Sequence, residues 1–174
     1  MLTKHGDFKV LRVFFEYPER KIHIREIARL TKLSPPGVLK IVRNLTKEGM
    51  LVLEKGKVVK NVSPSKSENF VQFKRLFNIY SLYECGLVSF LRHEYEEPEA
   101  LVLFGSYAKG EDISKSDIDI AVITGKNMSL DMRKFEFTLK RKINVHEIKL
   151  MDAEKPFLNS LANGIVLYGY LKVI

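Results

Sequence analysis

Apolar residues in the first third of the chain recur at helical spacing in three segments and at strand spacing between and after them. Residues 10–15 predict a first helix that Pro18 stops, and residues 22–24 predict a short strand. Residues 27–32 predict a second, short helix. This order of elements is typical of the beginning of a winged helix-turn-helix domain.

A third helix and a hairpin complete that pattern. Ser34 is a good N-cap and Pro35 suits the first helical position, so we expect a helix to begin there. Its apolar residues recur at spacings of three and four, and Gly49 is expected to end it in a left-handed conformation. Residues 51–62 predict two strands that turn at Lys55-Gly56, which is the wing of such a domain.

Residues 66–95 carry an aromatic-rich apolar face at helical spacing, with Gly86 as the expected break. An aromatic stripe of this kind is typical of core packing or of a dimer contact. We therefore expect a helical connector between two domains, and a homodimer is one expected assembly.

From residue 100 onwards, strand patterns alternate with helical ones. The predicted strands are 100–104, 117–124 and 143–150, the predicted helices are 132–140 and 153–161, and residues 165–168 predict a last extended piece. The predicted fold class is α+β, with an N-terminal winged helix domain and a C-terminal α/β domain built on a mixed sheet. The predicted domain limits are 1–64, 65–98 for the helical connector, and 99–174.

Composition narrows the class of protein. The chain is 45% hydrophobic and 29% charged, which is typical of a globular protein. No apolar run approaches the roughly 18 residues of a membrane helix and the start lacks a signal-peptide core, so no membrane partner is expected. Cys85 is the single cysteine, which excludes an internal disulfide and a cysteine-rich zinc site. These features favour a cytoplasmic protein.

The net charge of +8 is concentrated at one end of the chain. Residues 1–64 hold 14 Lys and Arg against 6 Asp and Glu, whereas residues 65–174 hold 15 of each. The excess of positive charge therefore lies entirely in the predicted winged helix, which indicates that this segment binds a polyanion.

The third helix carries a polar stripe at positions i, i+3, i+4 and i+7. The stripe consists of Lys40, Arg43, Asn44 and Lys47. Arginine can bind guanine, asparagine can bind adenine, and lysine can bind phosphate. Lys55, Lys57 and Lys60 on the wing are expected to contact the flanking backbone. Double-stranded DNA is the predicted partner, and a protein-contact surface is the alternative.

The second chemical pattern lies in the C-terminal segment. Gly105-Ser106 follows a buried strand and precedes a helix, a turn whose unpaired N–H groups and hydroxyl can hold phosphate oxygens. Asp117 and Asp119 are two apart on a strand, so both carboxylates project from one face. Such a pair repels unless a cation lies between, and Mg²⁺ suits two carboxylates plus substrate phosphates.

This combination resembles the minimal nucleotidyltransferases of the DNA polymerase β superfamily, whose signature is Gly-Ser, about ten residues, then Asp-x-Asp. The resemblance covers residues 100–170. It implies that Gly105 and Ser106 bind an NTP, with ATP expected, while Asp117 and Asp119 are catalytic ligands of Mg²⁺ or Mn²⁺. The implied reaction transfers NMP to a hydroxyl acceptor, which is unidentified and includes protein hydroxyls among the options.

The family also places a third carboxylate on a following strand. Glu147 is predicted for this role, as metal ligand and catalytic group. His146 in its place, or neither residue, are the alternatives left open. The alternative interpretation is that the whole chain is a DNA-binding transcriptional regulator whose nucleotidyltransferase domain binds nucleotide without turnover.

Overall fold

The computed structural model describes residues 5–54 and 61–172. The chain divides into two compact units, Met1–Phe77 and Asn78–Ile174. The domain limits expected at residues 64 and 98 stay predictions. No helix in the described part of the chain is long and apolar enough to span a lipid bilayer.

The first unit is a winged helix-turn-helix, as the apolar pattern predicts. Its elements are α1 (Gly6–Glu16), β1 (Ile22–His23), α2 (Ile24–Thr31), α3 (Pro35–Lys47), β2 (Leu51–Leu53) and β3 (Asn61–Pro64). The three strands form an antiparallel sheet in the order β1-β3-β2. Val10, Phe14, Ile27 and Val42 are buried in the core that joins the helices.

The boundaries of α3 follow the local signals. The Ser34 hydroxyl accepts a hydrogen bond from the Gly37 backbone N–H at 3.3 Å, which caps the first turn. Pro35 occupies the first turn, where no intrahelical donor is needed. Gly49 has a φ of +73°, the left-handed conformation expected after the helix.

The aromatic-rich segment forms two helices, α4 (Glu68–Glu84) and α5 (Leu87–Glu94). Gly86, with a φ of +82°, separates them as predicted. Phe70 and Phe77 pack in the core of the first unit, each with its ring centroid 5.3 Å from that of Phe15. Phe73 and Leu76 remain exposed. The homodimer stays a prediction.

The second unit is built on a four-stranded sheet. Its further elements are β4 (Ala100–Phe104), α6 (Gly105–Lys109), β5 (Ile118–Ile123), α7 (Arg133–Leu139), β6 (Ile143–Ile148), a 3-10 turn (Leu150–Asp152), α8 (Lys155–Ala162) and β7 (Ile165–Gly169). The strand order is β6-β5-β4-β7, with β5 and β6 parallel and the other pairs antiparallel. This is the predicted mixed sheet, and the α+β class is confirmed.

Side chains alternate between the two faces of this sheet, and each face is covered. One face packs Leu103 and Val122 with Leu91 of α5. The opposite face packs Val102 with Leu161 of α8. Whether a residue of β6 lies on the α5 face or the α8 face therefore decides its surroundings.

A buried polar group fixes the loop that leads into β5. Asp112 accepts a hydrogen bond from Asn78 Nδ2 at 2.8 Å, and its second oxygen lies 3.6 Å from the Arg141 guanidinium. The side chains of Asp112 and Arg141 are 0% and 4% exposed. Because Arg141 comes two residues before β6, this ion pair ties the loop before β5 to the start of β6.

Candidate nucleotide and metal site

Gly105 lies at the end of β4, directly beside an aspartate of β5. Phe104 pairs with Asp119 in the antiparallel ladder. Gly105 has a φ of +74°, and a Cβ atom built there would lie 2.9 Å from Asp119 Oδ2. The backbone conformation therefore favours glycine, and a Cβ atom there would displace the Asp119 carboxylate.

The turn after Gly105 offers backbone donors. Helix α6 begins at Gly105, and no side chain caps its first turn. The first N–H groups of a helix have no intrahelical acceptor. Ser106 is half-buried in the same turn. A shallow groove opens beside this turn and is lined by Phe104, Gly105, Lys109, Asn159, Ser160 and Asn163.

The structure brings Asp117 and Asp119 together. Asp117 precedes β5 directly and Asp119 is its second residue. One side chain joins them: Asn144 Nδ2 donates to Asp117 Oδ2 at 3.3 Å and to Asp119 Oδ1 at 3.0 Å. The amide thus lies between two carboxylates that would otherwise repel each other.

Sequence reasoning missed Asn144. In the parallel pairing of β5 with β6, Asn144 lies opposite Asp119. It therefore lies beside the aspartates on the following strand, which is the strand where the family resemblance implies a third carboxylate. The alternation of side chains along β6 indicates that Asn144 and His146 share a face, and that signal was available in the sequence.

After Asn144, His146 is the next residue of β6 on the face that carries the aspartates. Its Nε2 atom lies 3.6 Å from Asp119 Oδ1. Its ring contacts Phe104 and Phe157, with centroid distances of 5.3 and 6.2 Å. Although the side chain as a whole is 41% exposed, Nε2 itself is buried and finds no hydrogen-bond partner among the described residues.

Glu147 points to the opposite face of the sheet. Its Oε1 atom accepts hydrogen bonds from the Tyr95 hydroxyl at 2.6 Å and from the Met128 backbone N–H at 2.7 Å. Burial, together with this bond to Glu147, raises the pKa of Tyr95. The expectation that Glu147 supplies the third carboxylate is therefore corrected, because strand alternation places it on the α5 face, away from Asp117 and Asp119.

The residues around the aspartates fit a cation that shares its coordination with a ligand. Within residues 5–54 and 61–172, no three His, Cys, Asp or Glu side chains cluster closely enough to hold a metal ion. Two carboxylates are nevertheless the usual protein contribution when substrate phosphates supply further oxygens. The Nε2 atom of His146, which has no hydrogen-bond partner among the described residues, lies 3.6 Å from Asp119 Oδ1, so side chains would have to move before it could share an ion with the two aspartates.

The polar stripe of α3 is exposed as expected. Lys40, Arg43, Asn44 and Lys47 all lie at the surface. They line a shallow groove between α3 and β2 that also includes Leu53. The predicted wing contacts Lys55, Lys57 and Lys60 lie outside the described residues.

Comparison with known proteins bears on both units. Residues 87–170 match the family model for polymerase beta, nucleotidyltransferase, and residues 7–52 match the model for winged helix-turn-helix DNA-binding domains. A search of curated proteins found no match. A solved structure of a mutant of Lactococcus lactis ZitR is 16% identical, with a TM-score of 0.39, over 50% of this chain and 60% of that one. A likeness at that level carries no argument about function.

Proposed function

We propose that this protein is a DNA-binding regulator that binds a nucleoside triphosphate without turning it over. Its residues 87–170 belong to the polymerase β nucleotidyltransferase family, and its residues 7–52 form a winged helix-turn-helix DNA-binding domain. The observation that carries this proposal is the position of Asn144. An amide, not a carboxylate, lies opposite Asp119.

The nucleotide would bind where the end of β4 meets the start of β5. Gly105 and Ser106 would hold the triphosphate through backbone N–H groups and the hydroxyl. Asp117 and Asp119 would hold a divalent cation, which neutralises the phosphates when bound. Lys109, in the groove beside this turn, is placed to contact the same nucleotide. ATP is the nucleotide expected first.

The chemistry of the third position supports binding without turnover. Transfer to a hydroxyl acceptor needs a group that takes up the hydroxyl proton. The Asn144 amide has no basic lone pair for this purpose, and its Nδ2 already donates to both aspartates. Glu147 is bonded to Tyr95 on the other face and cannot take the role from there.

DNA binding would use the exposed stripe of α3. Arg43 and Asn44 have the donor patterns that read guanine and adenine, and Lys40 and Lys47 suit phosphates. The concentration of positive charge in residues 1–64 supports a polyanion as partner. We expect nucleotide occupancy and DNA affinity to be coupled, which is what would make the protein a regulator. DNA as the partner is what supports the cytoplasm as its location.

Nucleotidyl transfer is the second candidate, and His146 is the observation that favours it. Its Nε2 lies 3.6 Å from Asp119. In this reaction an acceptor hydroxyl oxygen bonds to the α-phosphorus and the bond from that phosphorus to the bridging oxygen breaks. Pyrophosphate leaves with that electron pair, and His146 Nε2 accepts the hydroxyl proton. The acceptor, a protein hydroxyl among the options, is not specified by this geometry.

One experiment separates the two candidates. The full chain is incubated with Mg²⁺ or Mn²⁺ and each α-labelled NTP, with and without DNA and protein extracts as acceptors, while binding is followed by calorimetry. We expect NTP binding that depends on the cation, is lost in Asp119→Asn, and is accompanied by no transfer of label. Label transfer that disappears in Asp119→Asn would overturn the regulator and establish the transferase.

Two variants sharpen that experiment. Asn144→Asp should raise the affinity for the free cation, because three carboxylates would then converge where two and an amide do now. Glu147→Gln should leave NTP binding unchanged, because its contacts are on the other face of the sheet. A loss of NTP binding in Glu147→Gln, in a variant that keeps its circular dichroism spectrum, would contradict this assignment of faces.

A further inference from the structure

We propose that His146 Nε2 is a direct ligand of the divalent cation, so that this site takes a transition-metal ion such as Mn²⁺ or Co²⁺ in preference to Mg²⁺. The inference rests on the proposed function, since it concerns the cation that accompanies the nucleotide. It decides which cation that is, a question that the two aspartates alone leave open.

The position of the imidazole carries the argument. Nε2 is buried and finds no hydrogen-bond partner among the described residues, and leaving such an atom unpaired costs free energy. Its 3.6 Å distance to Asp119 Oδ1 is too long for a hydrogen bond. Two donors bound to one cation lie about 3 Å apart, given metal–ligand bonds of about 2.0–2.2 Å. A small side-chain adjustment therefore lets both atoms bind the same ion.

The ring is held in that direction by its neighbours. Phe104 and Phe157 contact the imidazole, and Phe104 is the residue that pairs with Asp119 across the ladder. The ring therefore packs beside the residue that precedes Gly105. Packing that fixes the ring keeps Nε2 within 3.6 Å of Asp119 Oδ1, the oxygen with which it would share the ion.

The donor set determines the preference among cations. Mg²⁺ demands oxygen ligands in near-ideal octahedral geometry, whereas imidazole suits transition metals. Affinity of a mixed nitrogen and oxygen site rises from Mn²⁺ to Co²⁺ along the first-row series. A nitrogen that binds a cation has no lone pair left for a proton, so His146 cannot then act as the base. This assignment therefore agrees with nucleotide binding without turnover.

A direct test uses pulsed electron paramagnetic resonance on the untagged full chain with Mn²⁺ and ATP. Histidine labelled with the heavier nitrogen isotope distinguishes the imidazole from the adenine ring. We expect a coupling between Mn²⁺ and the labelled nitrogen. Mn²⁺·ATP that binds without any such coupling would overturn the inference and leave the proposed function standing, whereas no binding of either Mn²⁺·ATP or Mg²⁺·ATP would overturn both.

Calorimetry with two variants provides the second measurement. His146→Phe keeps an aromatic ring against Phe104 and Phe157 but removes the nitrogen, and His146→Leu, which offers no donor atom, is the second variant if the first fails to fold. We expect Mn²⁺·ATP affinity to fall by about 10-fold to 100-fold or more, the range that altering even a neighbour of a metal ligand produces. Mg²⁺·ATP affinity should change little. An unchanged preference for Mn²⁺ over Mg²⁺ in a folded variant would contradict direct ligation.

Discussion

Replacing Gly105 with alanine tests whether the close approach of β4 to Asp119 matters for ligand binding. The new Cβ would lie 2.9 Å from Asp119 Oδ2, while the next nearest atoms, Asp119 Cγ and Cβ, lie at 3.8 and 3.9 Å. Only the carboxylate oxygen is too close. Because it is the end of a side chain, the carboxylate should move aside, and the proposed cation ligand would then be displaced.

The loss of stability in Gly105→Ala should be modest, and a control variant in the same unit should lose a similar amount. A non-glycine residue in the left-handed region costs about 1–2 kcal/mol, and the lower entropy of the unfolded alanine chain offsets about 0.4–1 kcal/mol of this. Gly86 has a similar φ of +82°, but a Cβ there meets nothing within 4 Å. Gly86→Ala therefore carries the same backbone strain without the displaced carboxylate.

The two variants should agree in stability and differ in binding. Urea unfolding should show that each loses about 1 kcal/mol. Calorimetry should show that only Gly105→Ala loses affinity for the cation and nucleotide, by about tenfold or more, which is about 1.4 kcal/mol. Equal affinities in the two variants would refute the reasoning that Gly105 keeps Asp119 in its binding position.

Three further perturbations test other parts of the molecule. Arg43→Ala should cost roughly 1–3 kcal/mol on a cognate DNA site and relax its specificity, measured by fluorescence anisotropy, whereas Lys9→Ala on α1, outside the stripe, should not. Asp112→Ala should cost about 3–5 kcal/mol in urea unfolding, because it removes the carboxylate from a buried ion pair with Arg141; a loss below 1 kcal/mol would contradict the burial of that pair. The raised pKa of Tyr95 means that its contribution to stability is complete below the unfolded pKa of about 10 and is lost as pH rises above that value. The free energy of unfolding should fall between about pH 9 and pH 11 by less in Tyr95→Phe than in the wild type.

The elements that could be predicted from the sequence are those with local causes. Ser34 caps α3 and Gly49 follows it in the left-handed conformation, because capping depends only on residues within one turn. Gly86 divides the aromatic segment for the same kind of reason. The approach of Asp117 to Asp119 also follows from a local rule, the alternation of side chains along a strand.

The rest of the site depends on pairing between distant segments. Alternation predicts that His146 and Glu147 face opposite ways, but not which of them meets Asp119. The parallel register of β5 with β6 decides that His146 meets Asp119. Tyr95 holds Glu147 on the α5 face by donating a hydrogen bond from its hydroxyl to the carboxylate. Alternation in the sequence shows that Asn144 shares a face with His146, but the pairing of Asn144 with Asp119 across the sheet is needed to show that this face meets the aspartates.

The amide of Asn144 has a consequence for how fast a ligand exchanges. Its two hydrogen bonds to the aspartates would compete with the proposed cation, because a cation bound between the carboxylates would have to displace the amide. Each N–H···O bond surrendered lowers the net gain on binding, and that gain sets the lifetime of the bound state. The proposed site would therefore release its ligand readily when the surrounding concentration falls, and its occupancy would follow that concentration in both directions.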